Sequence, residues 1–327
     1  MSVFSKICFY GGGAWGQALS ITLASLGHKS TILVSDKIRE REINNHTSKK
    51  FPNIKLDNLI NASIHKEEII KISDLIFITT ESKRVLEAIK NISLVSKVKV
   101  NVVITSKGFA NNKGKTFSEI VENEFPNILL SILTGPTFAD EIANKKPATA
   151  VVANKNINQA KSICKLFHNS NLRLYPSNDP HGASIAGAIK NIIAIGAGIV
   201  EGLDLGDNAK AALITRGISE MSELIKKAGG NYNTAFGLAG IGDMSLTCSG
   251  PHSRNMAYGM KFVKNNNESP KELVEGLNAI NSAITLSKNL RIELPIVNAI
   301  KEILNKEAKI DEIIKNLLSR PIRNEFS

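Results

Sequence analysis

The sequence KICFYGGGAWG, residues 6–16, joins a short apolar run to a glycine-rich turn. Gly11, Gly13 and Gly16 have the spacing GxGxxG, and residues 14–26 have the apolar spacing of a helix. At a strand-to-helix turn, such glycines permit a tight bend and let a pyrophosphate approach the amides at the helix N-terminus. The stretch therefore predicts a Rossmann-type dinucleotide-binding unit with Gly11, Gly13 and Gly16 at the cofactor.

The first half of the chain alternates between short apolar runs and segments of helical spacing. Predicted strands occupy residues 6–10, 31–34, 75–79, 100–105, 129–133, 149–153 and 172–175, and predicted helices include 82–92, 116–124 and 156–167. This alternation indicates a parallel sheet with helices on both faces. After Asn178 helical spacing dominates, and Pro176 and Pro180 bracket a polar turn. We predict an α/β fold, with an N-terminal Rossmann-type doubly wound sheet over residues 1–178 and an all-helical C-terminal substrate and catalytic domain over 179–327.

The composition fits two globular domains. The chain has 327 residues, of which 43% are hydrophobic and 22% charged, and its mean hydropathy is -0.04. The three cysteines, Cys8, Cys164 and Cys248, lie far apart without metal-ligand spacing, so we expect neither a disulfide framework nor a metal site. Because the N-terminus lacks the pattern of a signal peptide, we expect a cytoplasmic protein.

The formal net charge is +11. The lysines and arginines are spread along the chain and form no dense basic block, so we expect no nucleic-acid partner. A few local cations that bind a small anionic substrate are the better interpretation of this charge.

Asp36 lies 20 residues beyond Gly16, where an acidic side chain can bond the adenosine ribose and favour NAD. Ser35 and Lys37 flank it, and Lys37 or Lys83 can supply a cation for the extra phosphate of NADP. Asp36 as an ordinary turn residue is an equally good interpretation. The cofactor is therefore predicted as NAD or NADP, with Ser35 and Asp36 among its contacts.

Residues 182–200, GASIAGAIKNIIAIGAGIV, are almost long enough to cross a bilayer but carry Lys190 at their centre. We interpret them as the buried core helix of the second domain and expect no integral membrane segment. Burial lowers the pKa of a lysine and makes a neutral amine available as a base. The structural alternatives are an ion-paired lysine or one that reaches the surface.

Two further segments have the residue types of anion sites. In GPTFADE, residues 135–141, Thr137 and Asp140 match a capping box, which predicts a helix N-terminus at the edge of the sheet. In PHSRN, residues 251–255, a predicted helix start brings together Ser253, Arg254 and Asn255, whose groups suit a phosphate. A plain helix cap is the alternative for the first segment.

Motifs spread over nearly the whole chain resemble those of the bacterial NAD(P)-dependent glycerol-3-phosphate dehydrogenase family. They are GGGAWGQAL (11–19), TSKGF (105–109), LTGPTFADEIA (133–143), GAIKNIIAIGAGIVEGL (187–203), FGLAGIGDMSLTC (236–248), HSRN (252–255), VEG (274–276) and ELPI (293–296). The resemblance implies interconversion of dihydroxyacetone phosphate and sn-glycerol 3-phosphate, which supplies phospholipid synthesis.

The resemblance also assigns roles. Lys190 is implied as the proton acceptor, with Lys107 and Asp243 assisting the chemistry. Implied substrate contacts are Lys107, Gly135, Thr137, Lys190, Asp243, Ser253, Arg254 and Asn255. Implied cofactor contacts are Ala14, Trp15, Lys107, Ala139, Arg254, Leu273 and Glu275. Ala14 and Thr137 stand where the family commonly has Ser. Ser35 stands where the family often has a basic residue, and its lack of charge weakens any expected preference for NADP.

Two alternatives stay open at this point. One is a related two-domain dehydrogenase of the 6-phosphogluconate or 3-hydroxy-acid type, against which the segments 135–140 and 252–255 argue. The other is a dinucleotide-sensing module without catalysis, in which Lys190 needs no particular setting. A homodimer is a further possibility, for which no particular residues in the sequence argue.

Overall fold

The computed structural model describes residues 4–96, 98–264, 274–319 and 321. Its single sheet consists of β1 (Ile7–Tyr10), β2 (Ser30–Leu33), β3 (Ile60–Ser63), β4 (Leu75–Ile78), β5 (Val100–Ile104), β6 (Ile128–Thr134), β7 (Ala148–Ala153) and β8 (Leu172–Ser177). The strand order is β3-β2-β1-β4-β5-β6-β7-β8. This order reverses direction between β1 and β4, which is where a doubly wound sheet opens a crevice for a ligand.

The sheet differs from the sequence prediction in two ways. The predicted parallel sheet is mixed: β6 and β7 pair antiparallel, with Ile132 opposite Ala153, while the other neighbouring strands pair parallel. The five-residue helix between these strands, Ala139–Ala143, is about 8 Å long and cannot return the chain along the seven-residue β6, which is about 23 Å long. The prediction also missed β3, whose sequence INAS has too little apolar character to be recognised.

Helices cover both faces of the sheet. In this half they are α1 (Ala14–Ala24), α2 (Lys37–Asn44), α3 (Lys66–Ile72), α4 (Ser82–Val95), α5 (Phe117–Glu124), α6 (Ala139–Ala143) and α7 (Ile157–Leu166). Along β1, Cys8 and Tyr10 belong to one buried apolar cluster, whereas Ile7 and Phe9 belong to another. The alternation of side chains along the strand therefore gives the sheet two cores, as the doubly wound prediction required.

The second half of the chain is helical, as predicted. It contains α8 (Pro180–Gly202), α9 (Gly206–Lys227), α10 (Asp243–Thr247), α11 (Arg254–Lys264), α12 (Glu275–Asn289), α13 (Pro295–Asn305) and α14 (Ile310–Leu318), with a 3₁₀ helix at Tyr232–Phe236 and a π-helical turn at Leu238–Gly242. Strand β8 ends at Ser177, and α8 starts with Pro180 behind the N-cap Asp179. The Asp179 carboxylate accepts a hydrogen bond from the Gly182 amide at 2.8 Å.

Helix α8 is the centre of the helical domain. Among the described helices it alone is long and apolar enough to cross a membrane, and its apolar stretch is completely buried inside the protein. Glycines let α11 approach its backbone: a Cβ on Gly198 would lie 2.0 Å from the Met256 carbonyl oxygen, and one on Gly259 would lie 2.1 Å from the Ile195 carbonyl oxygen. Side chains larger than hydrogen have no room at this crossing.

This crossing generates a stability prediction. Gly198→Ala should lower the free energy of unfolding by about 1–3 kcal/mol or more, because overpacking against backbone exceeds the gain in helix propensity. Calorimetric melting measures the loss. Gly250→Ala is the matched control, since no described atom lies within 4 Å of a Cβ there. Equal melting temperatures for the two variants would contradict the close approach of α8 and α11.

Candidate active site

The glycine-rich turn lies between β1 and α1. Gly11 has a φ of +128°, in the region that favours glycine, and its amide donates to the Leu33 carbonyl oxygen at 3.2 Å. A Cβ on Gly16 would lie 2.5 Å from the Gly11 carbonyl oxygen, so the first turn of α1 approaches the strand closely. Gly13 is the N-cap of α1 and has open space beside it, with no described atom within 4 Å of a Cβ. The turn therefore leaves the helix amides accessible to an anion.

A cleft of about 550 Å³ lies between this turn and the helical domain. It gathers most of the predicted site residues on its walls: Gly13, Ala14, Trp15, Lys107, Thr137, Ala139, Lys190, Asp243, Ser253, Arg254, Asn255 and Glu275. Gly11, Gly16, Ser35, Asp36 and Gly135 do not line it. Leu273 lies outside the described residues. One cavity thus brings together residues that are up to 262 positions apart in the sequence, from Gly13 to Glu275.

Asp36 caps a helix. It is the N-cap of α2, and its carboxylate accepts hydrogen bonds from the Arg39 amide and the Ser35 hydroxyl, both at 2.9 Å. The Arg39 amide is the main cause that lowers the pKa of Asp36, followed by the Ser35 hydroxyl. The carboxylate is therefore ionised and has a structural role, and its contact with a ribose stays a prediction.

Lys190 is buried in the middle of α8, as its apolar flanks predicted, with 5% of its surface exposed. Its Nζ donates to the Thr247 hydroxyl at 2.8 Å and lies 3.0 Å from Asp243 Oδ1. Burial is the largest influence on this amine and lowers its pKa to about 8, with Lys107 acting in the same direction and Asp243 against it. Lys190 can therefore exchange a proton near neutral pH.

Asp243 holds two ammonium groups at once. Its Oδ2 lies 2.5 Å from Lys107 Nζ, which also donates to the Gly135 carbonyl oxygen at 3.1 Å. Burial alone would raise the pKa of Asp243, but Lys107 and Lys190 together lower it below the usual value. The carboxylate is therefore ionised and joins Lys107, which follows β5, to Lys190 in α8.

The segments 251–255 and 135–141 differ in outcome. Helix α11 begins at Arg254 as predicted, and the Ser253 hydroxyl accepts a hydrogen bond from the Met256 amide at 3.3 Å. The predicted capping box at Thr137 and Asp140 is wrong, since the N-cap of α6 is Phe138 and makes no side-chain cap bond.

The physical reason for the wrong capping box is the direction of the Thr137 hydroxyl. It donates to the Gly135 carbonyl oxygen at 3.2 Å and so turns away from the α6 amides. A capping box instead starts α5, where Thr116 and Glu119 exchange both bonds.

Glu275 opens α12 and lines the cleft. Burial raises its pKa, and the cations Lys190, Arg254 and Lys107 oppose that change. An acid and three cations therefore line the same cleft.

The sequence prediction missed several cleft residues, among them Lys50, Thr80, Asn191, Thr247 and His252. Thr247 had a readable signal, because it lies four residues after Asp243 and hence on the same face of a helix. Its hydroxyl donates to the Asp243 carbonyl oxygen at 2.6 Å while it accepts from Lys190. Lys50 gave no such signal, since it reaches the cleft from a loop.

The protein combines a doubly wound sheet and its glycine turn with a helical domain, which places a buried lysine and aspartate in the same cleft. This combination defines the class of two-domain dinucleotide-dependent oxidoreductases. Residues 6–160 match the family described as the NAD-dependent glycerol-3-phosphate dehydrogenase N-terminus, and residues 179–315 match its C-terminus. The chain belongs to the NAD-dependent glycerol-3-phosphate dehydrogenase family.

Individual relatives agree over nearly the whole length. A glycerol-3-phosphate dehydrogenase [NAD(P)+] of Staphylococcus epidermidis is 36% identical, with 98% of this chain and 99% of the relative covered. The corresponding protein of Halalkalibacterium halodurans is 35% identical, with 98% and 96% covered. The crystal structure of the Coxiella burnetii glycerol-3-phosphate dehydrogenase is 30% identical and superposes with a TM-score of 0.87, covering 96% of this chain and 98% of that one.

The shared carboxylate generates a prediction on stability and pH. Asp243→Ala should cost about 3–5 kcal/mol near pH 7, because two ammonium groups lose their buried partner. The folded-state pKa of Lys190 is about 8 against an ordinary value of 10.5, so the unfolded chain binds more protons and stability due to this group rises with pH between these values. Because Asp243 raises the pKa of Lys190, its removal lowers that pKa further below 8 in the folded variant, so the deficit of the variant should shrink as pH rises toward about 8 and level off above it, as measured by urea unfolding.

Asp140→Ala, which removes an exposed carboxylate in α6, is the control. It should change stability by less than about 0.5 kcal/mol at each pH. An Asp243→Ala deficit that is small or independent of pH would show that Asp243 does not hold the two lysines.

Proposed function

We propose that this chain interconverts dihydroxyacetone phosphate and sn-glycerol 3-phosphate with NAD or NADP as the hydride carrier. The observation that carries the proposal is the buried Lys190, paired with Asp243, on the wall of the same cleft as the glycine turn. An amine with a pKa of about 8 can serve as the proton acceptor that oxidation of a secondary alcohol requires.

The residues at the turn fit a dinucleotide. Gly11 adopts the left-handed backbone, Gly13 leaves open space, and the amides of α1 face it. A dinucleotide whose pyrophosphate is held there would supply the hydride acceptor or donor of the reaction. The contacts that we propose for the cofactor are Gly11, Gly13, Ala14, Trp15, Gly16, Ser35, Asp36, Lys107, Ala139, Arg254 and Glu275.

Lys190 handles the proton. An ammonium has three N–H donors, of which one goes to Thr247 and one faces Asp243, so a third remains for a substrate oxygen. In the reductive direction the charged form donates a proton to the oxygen at C2. In the oxidative direction the neutral amine takes the proton of the C2 hydroxyl. Asp243 and Thr247 keep the amine directed at one position in both forms.

The substrate phosphate is assigned to the start of α11. Arg254 is exposed there at the first helical position, and Ser253 and Asn255 flank it. A guanidinium fork at a helix N-terminus offers charge and directed donors to an anion. Lys107, Gly135 and Thr137 are proposed to contact the rest of the small substrate.

We also propose a cytoplasmic location and a role in supplying glycerol 3-phosphate for phospholipid synthesis. The three cysteines are free, and Cys8 and Cys248 are buried, which suits a reducing compartment. A homodimer stays a prediction, and light scattering of the purified chain tests it.

The central experiment follows the absorbance of the reduced cofactor. Dihydroxyacetone phosphate should cause steady oxidation of NADH or NADPH by the wild-type chain, whereas a sensing module would bind the cofactor without turnover. Lys190→Ala should lower kcat by about 10² to 10⁴, because general acid–base catalysis contributes about that much. The dissociation constant of NADH, from its fluorescence, should change by less than about threefold.

Lys161→Ala, at an exposed position of α7, is the control and should retain wild-type kcat. A Lys190→Ala variant that loses NADH binding together with activity would identify a structural lysine and contradict the proposed proton transfer.

The direction of the reaction sets the direction of its pH dependence. Reduction needs protonated Lys190, so kcat/KM for dihydroxyacetone phosphate should fall as pH rises through about 8, whereas kcat/KM for oxidation should rise over the same range. Steady-state rates on both sides of this pH, in both directions, measure the effect. Profiles with the same slope in both directions would contradict Lys190 as the proton donor and acceptor.

A further inference from the structure

Three helices of the helical domain each place one charged side chain in the cleft. Lys190 lies in the middle of α8, Arg254 is the first residue of α11, and Glu275 is the first residue of α12. The residue after each of them belongs to one chain of hydrogen bonds, which runs through Asn191, Asn255 and Gly276.

The direction of this chain is fixed by its ends. Asn191 Nδ2 donates to the Gly187 carbonyl oxygen at 3.2 Å, Asn255 Nδ2 donates to Asn191 Oδ1 at 3.0 Å, and the Gly276 amide donates to Asn255 Oδ1 at 3.0 Å. One end is a carbonyl group, which only accepts, and the other is a backbone N–H, which only donates. Both side-chain amides therefore have one orientation that satisfies every bond.

The chain is buried where the helices touch. Asn191 is 2% exposed and Asn255 is 8% exposed. A Cβ on Gly276 would lie 2.6 Å from the Asn191 carbonyl oxygen, so α12 meets α8 at backbone distance. Breaking one bond at this depth leaves an unsatisfied polar group, which costs more than the bond contributes when made.

Apolar packing alone does not fix the register of three helices to the accuracy that a site needs. The hydrogen bonds are directional, and each joins the residue beside one functional side chain to the residue beside the next. Sliding of α11 or α12 along α8 would stretch these bonds as it moved Arg254 or Glu275 relative to Lys190.

We propose that Asn191 and Asn255 are positioning residues that act as one unit and hold Arg254 and Glu275 in place relative to Lys190. This inference rests on the proposed function. Both asparagines also line the cleft, and each amide nitrogen keeps a second N–H. The alternative is that each acts by itself as a ligand contact.

A double-mutant cycle separates these two roles. Asn191→Ala and Asn255→Ala should each raise the NADH dissociation constant and lower kcat/KM for dihydroxyacetone phosphate about tenfold or more, because groups that act as a unit are lost together. The double variant should lie within about threefold of the more damaged single variant. Single effects that multiply in the double variant would overturn the proposal, as would single variants that match the wild type.

Asn154→Ala is the matched control. Asn154 is also buried, at 6% exposure, and bonds Ser131 at 2.9 Å away from the cleft. It should lower the melting temperature and leave both NADH binding and kcat/KM unchanged. If an alanine variant does not fold, serine replaces alanine at both positions and the same comparison applies.

Measuring NADH binding for the wild type and the three variants separates a failure of the proposed function from a failure of the positioning role. A wild-type chain that binds NADH without turning over dihydroxyacetone phosphate would refute the proposed function, and the NADH dissociation constants of the four proteins would still test the chain of amides. An active wild type with multiplicative effects would refute the positioning role alone.

Discussion

The carboxylate of Asp243, buried between two ammonium groups, is the constraint on which the site depends. Its oxygens lie 2.5 Å from Lys107 Nζ and 3.0 Å from Lys190 Nζ. Removing one member of a buried ion pair leaves a charge that neither water nor protein compensates, at a cost of several kcal/mol. The stability of each of the three charged groups therefore depends on the other two, and the fold has to bring all three into contact.

Each member of this cluster arrives by a different route. Lys107 follows β5 at the carboxyl edge of the sheet, Lys190 is carried by the long buried helix α8, and Asp243 starts α10 directly after the π-helical turn at Leu238–Gly242. The ion pairs thus connect the sheet to the helical domain across the cleft. Because Lys190, the lysine proposed to exchange a proton, is paired with a carboxylate that also pairs with Lys107 on the sheet, the proposed proton transfer is linked to the contact between the two halves.

The parts of this arrangement that local sequence encodes could be predicted, and those that need tertiary contact could not. The glycine turn and the burial of Lys190 follow from residues within one helix or turn, so Gly11–Gly16 and the apolar flanks of Lys190 were informative. The antiparallel direction of β7 follows from the short length of the five-residue helix before it. The bonding partner of the Thr137 hydroxyl follows from the path of the chain at Gly135. Only the family resemblance indicates a role for Asp243, since nothing in the neighbouring sequence predicts that its carboxylate pairs with two lysines.

The charge of the cleft explains why the net charge of +11 is a poor guide to the ligand. Among the described wall residues, the cations are Lys50, Lys107, Lys190 and Arg254, and the acids are Glu81, Asp243 and Glu275. At full ionisation these four cations and three acids sum to +1. The cleft thus has a small local excess of positive charge in a space of about 550 Å³. Such an excess suits a small anion at a defined position, whereas the many exposed lysines elsewhere are solvated and screened at physiological ionic strength.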